Sequence, residues 1–284
     1  MPGFLTRFAR SWLAAGGLLI VSVVVFTALF APWLAPHDPQ AQDIMLRLLP
    51  PLSQSPDGLF LLGTDALGRD LLSRLIVGSR VSLVVGASAV VVSGAIGIVL
   101  GLIAGYEDRY TGRVLMGITD IQLAIPFLVL ALAVVAVLGA SLFNLIIVLG
   151  VTNWVQFARV VRAEVMVLRT REFVVAARAL GASPARVVLR HILPNVASSI
   201  LVISSLLVAK MILFESSLSF LGLGVPPSTP TWGSMIADGR NYIARAWWVA
   251  AIPGLAIFVT VVALNLVGDR LRDMLDPKLR EVQN

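Results

Sequence analysis

Three ionisable side chains, Asp120, Lys210 and Glu215, stand within or at the edge of long apolar runs, where a charge is costly and defaults to a functional role. Groups of this kind serve proton relays, line an ion or substrate path, or bond one helix to another. Lys210 and Glu215 are five residues apart, which separates them by about 140° around a helix. They are poorly placed for each other and need partners on other helices or subunits. Asp120 follows Arg113 by seven residues, about 10 Å of helix, and precedes a kink expected at Pro126. Isolated charges are too few for a proton relay; interhelical bonding and lining a path both remain open for the carboxylates.

Other chemistry is poorly supported. Cysteine is absent, so there is no disulfide framework, thiolate site or cysteine nucleophile. The two histidines, His37 and His191, lie far apart in different kinds of segment, which argues against a histidine metal or catalytic centre. No H-E-x-x-H, G-x-S-x-G or paired-carboxylate pattern occurs. Lys210 and Lys278 are the only lysines, and neither follows a phosphate-binding glycine loop. The chain is therefore expected to hold no catalytic residue, cofactor or metal of its own.

The elements that carry these residues follow from composition. Hydrophobic residues make up 58% of the 284 and charged residues 13%, against roughly a quarter in soluble domains. With a mean hydropathy of +0.91, the bilayer is the natural solvent. A span needs about 20 residues to cross a ~30 Å core. Trp12–Ala31, Val81–Tyr106, Ile200–Leu223 and Ala246–Gly268 supply four, the third of them carrying Lys210 and Glu215. Ile121–Ala158 has 38 uncharged residues, roughly 57 Å of helix. It must fold back once, and Gly139-Ala140-Ser141 with Asn144 is its turn signal. Six transmembrane helices in an all-α integral membrane protein are expected. The first apolar stretch exceeds a signal-peptide core and reads as a retained anchor.

Lysine and arginine set the orientation. With the N-terminus inside, fifteen fall on inner segments and six on outer loops. Both termini are expected to be cytoplasmic. The same bias explains the net charge of +6 without nucleic acid.

Two loops stand out. The outer segment 32–80 is proline-rich and includes Leu62-Gly63-Thr64-Asp65 and Gly68-Arg69-Asp70, followed by an amphipathic helix at Leu71–Ile76. It reads either as a surface cap or as a docking surface involving Asp65, Arg69 and Asp70. In the inner segment 159–199, Glu172–Leu180 reads as a short helix ended by Gly181. Ser183-Pro184 then opens a second helix, and Pro194-Asn195 breaks or kinks the chain before the fifth span. This helix-turn-helix, with small residues Ala176, Ala177 and Ala179, suits a knob for another subunit. The domain division expected is 1–80 for the first helix and outer loop, and 81–284 for a core with its coupling loop at 159–199.

Arg171-Glu172-Phe173-Val174-Val175-Ala176-Ala177-Arg178-Ala179-Leu180-Gly181, then Ile192-Leu193-Pro194-Asn195, resembles the "EAA" loop of binding-protein-dependent ABC importer permeases. Val175 departs from the glutamate of that motif, and His191 from its usual isoleucine. The resemblance covers nearly the whole chain. Residues 62–74, Leu218-Ser219-Phe220-Leu221-Gly222-Leu223-Gly224, and Asn265-Leu266-Val267-Gly268-Asp269 with Leu275-Asp276-Pro277 are similar to dipeptide and oligopeptide permeases of the C-subunit type. Nickel and glutathione permeases share these motifs.

The resemblance implies a type I ABC importer permease fold in a bacterial inner membrane. It also implies a second homologous permease, two ATPase subunits that bind ATP and magnesium, and an extracytoplasmic solute-binding protein. In that assembly Arg171, Glu172, Ala176, Ala177, Gly181, Ala182 and Ser183 would couple to an ATPase. Asp65, Arg69 and Asp70 would serve docking outside, and Asp120, Lys210 and Glu215 would be pathway or intramembrane polar groups. Peptide is the favoured cargo, because no cluster of metal-ligand side chains lies within the spans. An ATP-independent secondary transporter and a membrane scaffold are the competing readings.

Overall fold

The computed structural model describes residues 11–56, 58–107 and 110–275. Arg7, Arg10, Arg109, Lys278 and Arg280 of the charge count, and Asp276-Pro277 of the terminal motif, lie outside them. Ser11 opens α1 (Trp12–Leu29), its hydroxyl accepting from the Ala14 amide. After the short α2 (Ala31–Leu34) the chain forms a cap. The cap carries an antiparallel hairpin of β1 (Ser53–Ser55) and β2 (Gly58–Phe60).

Asp70 then caps α3 (Leu71–Tyr106), a helix of 36 residues and so about 54 Å long. The amphipathic segment expected at Leu71–Ile76 is not a separate helix but the first turns of this one. Nothing between Ile76 and Val81 interrupts the ladder, and the bilayer core needs only about 30 Å of the helix.

The long uncharged run folds back as expected, but not as two simple spans. It begins in the last turn of α4 (Tyr110–Ala124), which meets α5 (Phe127–Leu138) at 88° across Ile125-Pro126. Proline removes an amide and disfavours helix at the residue before it, so the expected kink is a full break. Gly139, at φ +79°, ends α5, and Ser141 caps α6 (Leu142–Leu168). Among the described residues, five single helices are long and apolar enough to span, and the α4–α5 pair makes a sixth span if counted as one.

After α6 come the short α7 (Glu172–Ala179) and α8 (Pro184–Val187). A π-turn over Val188–Ile192 then leads into α9 (Leu193–Phe220). Pro194-Asn195, expected to break or kink the chain, sits in the first turn of α9, directly after the π-turn, so the helical path is irregular there but does not end. Proline and a π-turn both disturb the helical hydrogen-bond ladder, and the Asn195 amide group donates to the His191 carbonyl at 2.7 Å. A capping box between Thr231 and Ser234 starts α10 (Trp232–Gly239), and α11 (Trp248–Leu275) closes the bundle with buried Pro253 inside it.

Packing is close along the α3–α6 seam. Gly97, Gly101 and Gly105 recur every fourth residue and face Trp154, Phe157, Ala158, Val161 and Val165 of α6. A Cβ at Gly101 would meet Val161 Cβ at 2.8 Å, and one at Gly105 would meet Val165 Cβ at 2.6 Å. Small residues at four-residue spacing let membrane helices approach in this way. Gly17 plays the same part where α1 meets Ala263 and Leu266 of α11. Leu19, Val91, Val137, Phe143, Leu255 and Phe258 are exposed, as the lipid-facing side of a membrane bundle requires.

Candidate functional site: a knob, a cap and a recess

The knob stands on a buried foot. Val174, Val187 and Ile192 are fully enclosed among Leu102, Val161, Val165 and Val196. This cluster fixes α7 and α8 to the ends of α3, α6 and α9. Glu172 lies in the first turn of α7 and Arg178 in the last, each complementing the helix dipole. The Arg178 guanidinium also covers the Tyr106 ring at 4.7 Å.

Gly181 has φ +81°, and a Cβ there would meet nothing within 4 Å, so backbone conformation rather than space demands glycine. Its amide donates to the Arg178 carbonyl at 2.9 Å and that of Ala182 to the Ala177 carbonyl at 3.1 Å. This pair of bonds is the Schellman ending that the sequence signal at Gly181 implied. Ser183 precedes α8 in extended conformation, but its side chain makes no capping bond.

Five of the expected coupling residues, Arg171, Glu172, Ala176, Gly181 and Ser183, lie on the exposed side of the knob. Ala177 and Ala182 pack against the foot instead. The outer side also presents large apolar groups that the sequence reading left out. Phe173 is 43% exposed, Val175 53% and Leu180 89%, with Leu189 nearby at 62%. The available signal was in α7: Phe173-Val174-Val175 spreads apolar side chains over about 200° of the helix, which needs cover on more than one face.

The cap is held by charges. Asp65 is buried and accepts from the amides of Leu67 and Arg69, from Arg69 Nε at 2.6 Å, and from Arg74. Arg69 and Arg74 also reach Asp238 of α10, at 3.1 and 3.2 Å. Asp70 accepts from the amide and hydroxyl of Ser73 at 2.9 and 2.6 Å, and His37 Nδ1 lies 3.4 Å from it. Trp232 and Trp248 donate to the carbonyls of Leu75 and Thr64. The expected docking residues Asp65 and Asp70 are thus turned inward, where they brace the cap. Both side chains are buried, at 0% and 2% exposure, and so offer little to an arriving protein.

The three intramembrane groups separate. Glu215 is fully buried and accepts from Ser82 of α3 at 3.0 Å and from Ser219 and Ser216 of its own helix at 2.7 and 3.3 Å. It ties α9 to α3. Lys210 Nζ lies 5.3 Å from the centre of the Phe214 ring, and among the described residues it forms no ion pair. Asp120 of α4 accepts from Arg159 of α6 at 2.5 Å, with both side chains half exposed or more. They border a recess lined by Met116, Asp120, Arg159, Arg162, Ala163 and Met166. Close by, Gln122 accepts from Trp154 Nε1 at 2.8 Å and donates to the Thr152 carbonyl at 2.8 Å, fixing the end of α4 to the middle of α6.

Comparison with known proteins agrees with this architecture. Residues 97–281 match the model of the binding-protein-dependent transport system inner membrane component, and residues 3–51 that of the N-terminal TM domain of oligopeptide transport permease C. A di/tripeptide transport system permease protein, DppC of Pseudomonas aeruginosa strain UCBPP-PA14, is 48% identical over 98% of this chain and 92% of its own. A glutathione transport system permease protein, GsiD of Escherichia coli O6:K15:H31, is 43% identical over 98% and 90%. Among solved structures, a chain of the MetNI methionine ABC transporter in an inward-facing conformation superposes with a TM-score of 0.59. It covers 72% of this chain and 96% of that one at 19% identity, a likeness of fold. A multi-pass helical bundle matched over nearly its whole length by such permeases belongs to the binding-protein-dependent inner membrane components, the membrane-embedded permease subunits of ABC importers.

Proposed function

We propose that this chain forms one of two homologous membrane-spanning halves of an ATP-driven importer of short peptides. One of two ATPase subunits, which bind ATP and magnesium, seats on the knob at 171–183, the other on the second permease, and a solute-binding protein delivers cargo to the cap. Both termini lie in the cytoplasm. The distribution of lysine and arginine supports that orientation, and it puts the knob on the ATP-containing side. The observation that carries the reading is the knob's exposed apolar tip, Phe173, Val175 and Leu180, held on a fully buried foot. An apolar patch rigidly presented at a polar surface marks a docking site. Peptide cargo is supported by the 48% identity to a di/tripeptide permease. Glutathione, itself a tripeptide, is the second reading, supported by the relative named for its transport.

Purification of the chain from detergent-solubilised native membranes, with mass spectrometry of what accompanies it, tests the assembly. A second permease, one or two ATPases and a solute-binding protein are expected. Recovery of the chain alone, under conditions that preserve known complexes, would overturn the reading.

A further inference from the structure

Asp120 and Arg159 form an ion pair on the outside of the bundle, with side chains 66% and 50% exposed. Arg159 is seventeen residues beyond Leu142, about 25 Å along α6. With the turn at Gly139–Ser141 on the outer edge, the pair lies in the inner part of a core ~30 Å thick. A lysine or arginine stem can carry its charge to the interface, but aspartate has a single methylene and cannot. Lipid in front of Asp120 would leave a charge facing hydrocarbon, which the cost of such an arrangement rules out. The pair also edges a concave recess of about 320 Å³, within the range of roughly 300–1,000 Å³ usual for small-molecule sites. A recess of this kind on the inner half of an importer faces the water-filled pathway.

The geometry points to a transit site for the charged ends of a short peptide, Asp120 meeting the ammonium and Arg159 the carboxylate; this rests on the peptide-importer reading above. Opposite charges side by side favour a zwitterion. A purely anionic cargo would meet Asp120, and a purely cationic one Arg159 and Arg162. Met116 and Met166, unbranched and polarizable, form walls that adapt to different side chains. An exposed ion pair contributes little stability, so the pair opens readily to exchange with the two ends of a peptide and closes behind it. Weak, exchangeable binding is what a pathway needs if cargo is to leave.

The test uses the absence of cysteine from this chain. Met116→Cys and Ala163→Cys are introduced singly into the full importer in proteoliposomes and exposed to a membrane-impermeant maleimide on the cytoplasmic side. Both positions are expected to react, and a dipeptide with free ends is expected to slow the reaction about fivefold, the effect of one modest interaction. The same dipeptide N-acetylated and C-amidated should give no protection, and Asp120→Asn or Arg159→Gln should abolish protection by the free form. No labelling at either position, or equal protection by free and capped dipeptides, overturns the transit site. ATP-driven dipeptide uptake is measured in the same vesicles. Uptake without protection sinks the transit site alone, whereas no uptake by the unsubstituted importer sinks the importer reading as well.

Discussion

Leu180 and Gly181 are neighbours with separate roles, and the difference can be measured. Leu180 is almost wholly exposed and supports nothing within the chain, so Leu180→Asp should leave the knob folded. Loss of a central apolar contact is expected to weaken ATPase docking by about 2 kcal/mol, a roughly thirtyfold rise in Kd. Gly181 shapes the knob through its positive φ and its amide bond to Arg178. Proline fixes φ near −65° and has no amide, so Gly181→Pro should disrupt the ending of α7. Charge reversal at Glu172 places a cation at the positive end of the same helix. Both changes are expected to uncouple ATP hydrolysis from uptake in proteoliposomes while the bundle remains inserted. Normal coupling in both would remove the knob from the mechanism.

At the scale of elements, the α3–α6 seam depends on glycine rather than on side-chain interlocking. Gly101→Leu would drive a branched side chain into Val161 and the Ala158 carbonyl. Overpacking typically costs about 1–3 kcal/mol, and here the two backbones must separate. The variant is expected to lower the midpoint temperature of the purified complex and its yield, whereas Gly117→Leu, with nothing near its Cβ position, should change neither. Equal effects at the two sites would contradict the seam's role.

Much at this scale was legible beforehand, because a bilayer reduces the helix problem to uncharged length and to turn residues. The fold-back at Gly139–Ser141 and the helix end at Gly181 were readable from single residues whose backbone needs are narrow. The rest was not, for identifiable reasons. Residues 71–76 look amphipathic because Ser73 and Arg74 interrupt the apolar pattern, yet Arg74 is buried against Asp65 and against Asp238, which is distant in sequence. Pro194 signals a break or kink, but the chain passes through a π-turn five residues long and stays helical. Asp65 and Asp70 looked available for docking because sequence does not reveal burial.

At the scale of the molecule, α3 runs about 50 Å from the cap to the knob. Near one end Arg74 joins the Asp65–Asp238 cluster; at the other, Tyr106 lies beneath Arg178 and the Gly105 carbonyl accepts from Arg169. Glu215 pins α9 to the same helix through Ser82. One continuous helix therefore joins the knob to the cap. This is the connection an importer requires if ATP on one side is to govern access on the other.

The most direct measurement is dipeptide uptake into proteoliposomes holding the complete complex, with solute-binding protein outside and ATP enclosed. Uptake is expected only when both are present, and it should persist after protonophores collapse any proton gradient. Uptake that follows a proton or sodium gradient without ATP would contradict the account and make the chain part of a secondary transporter.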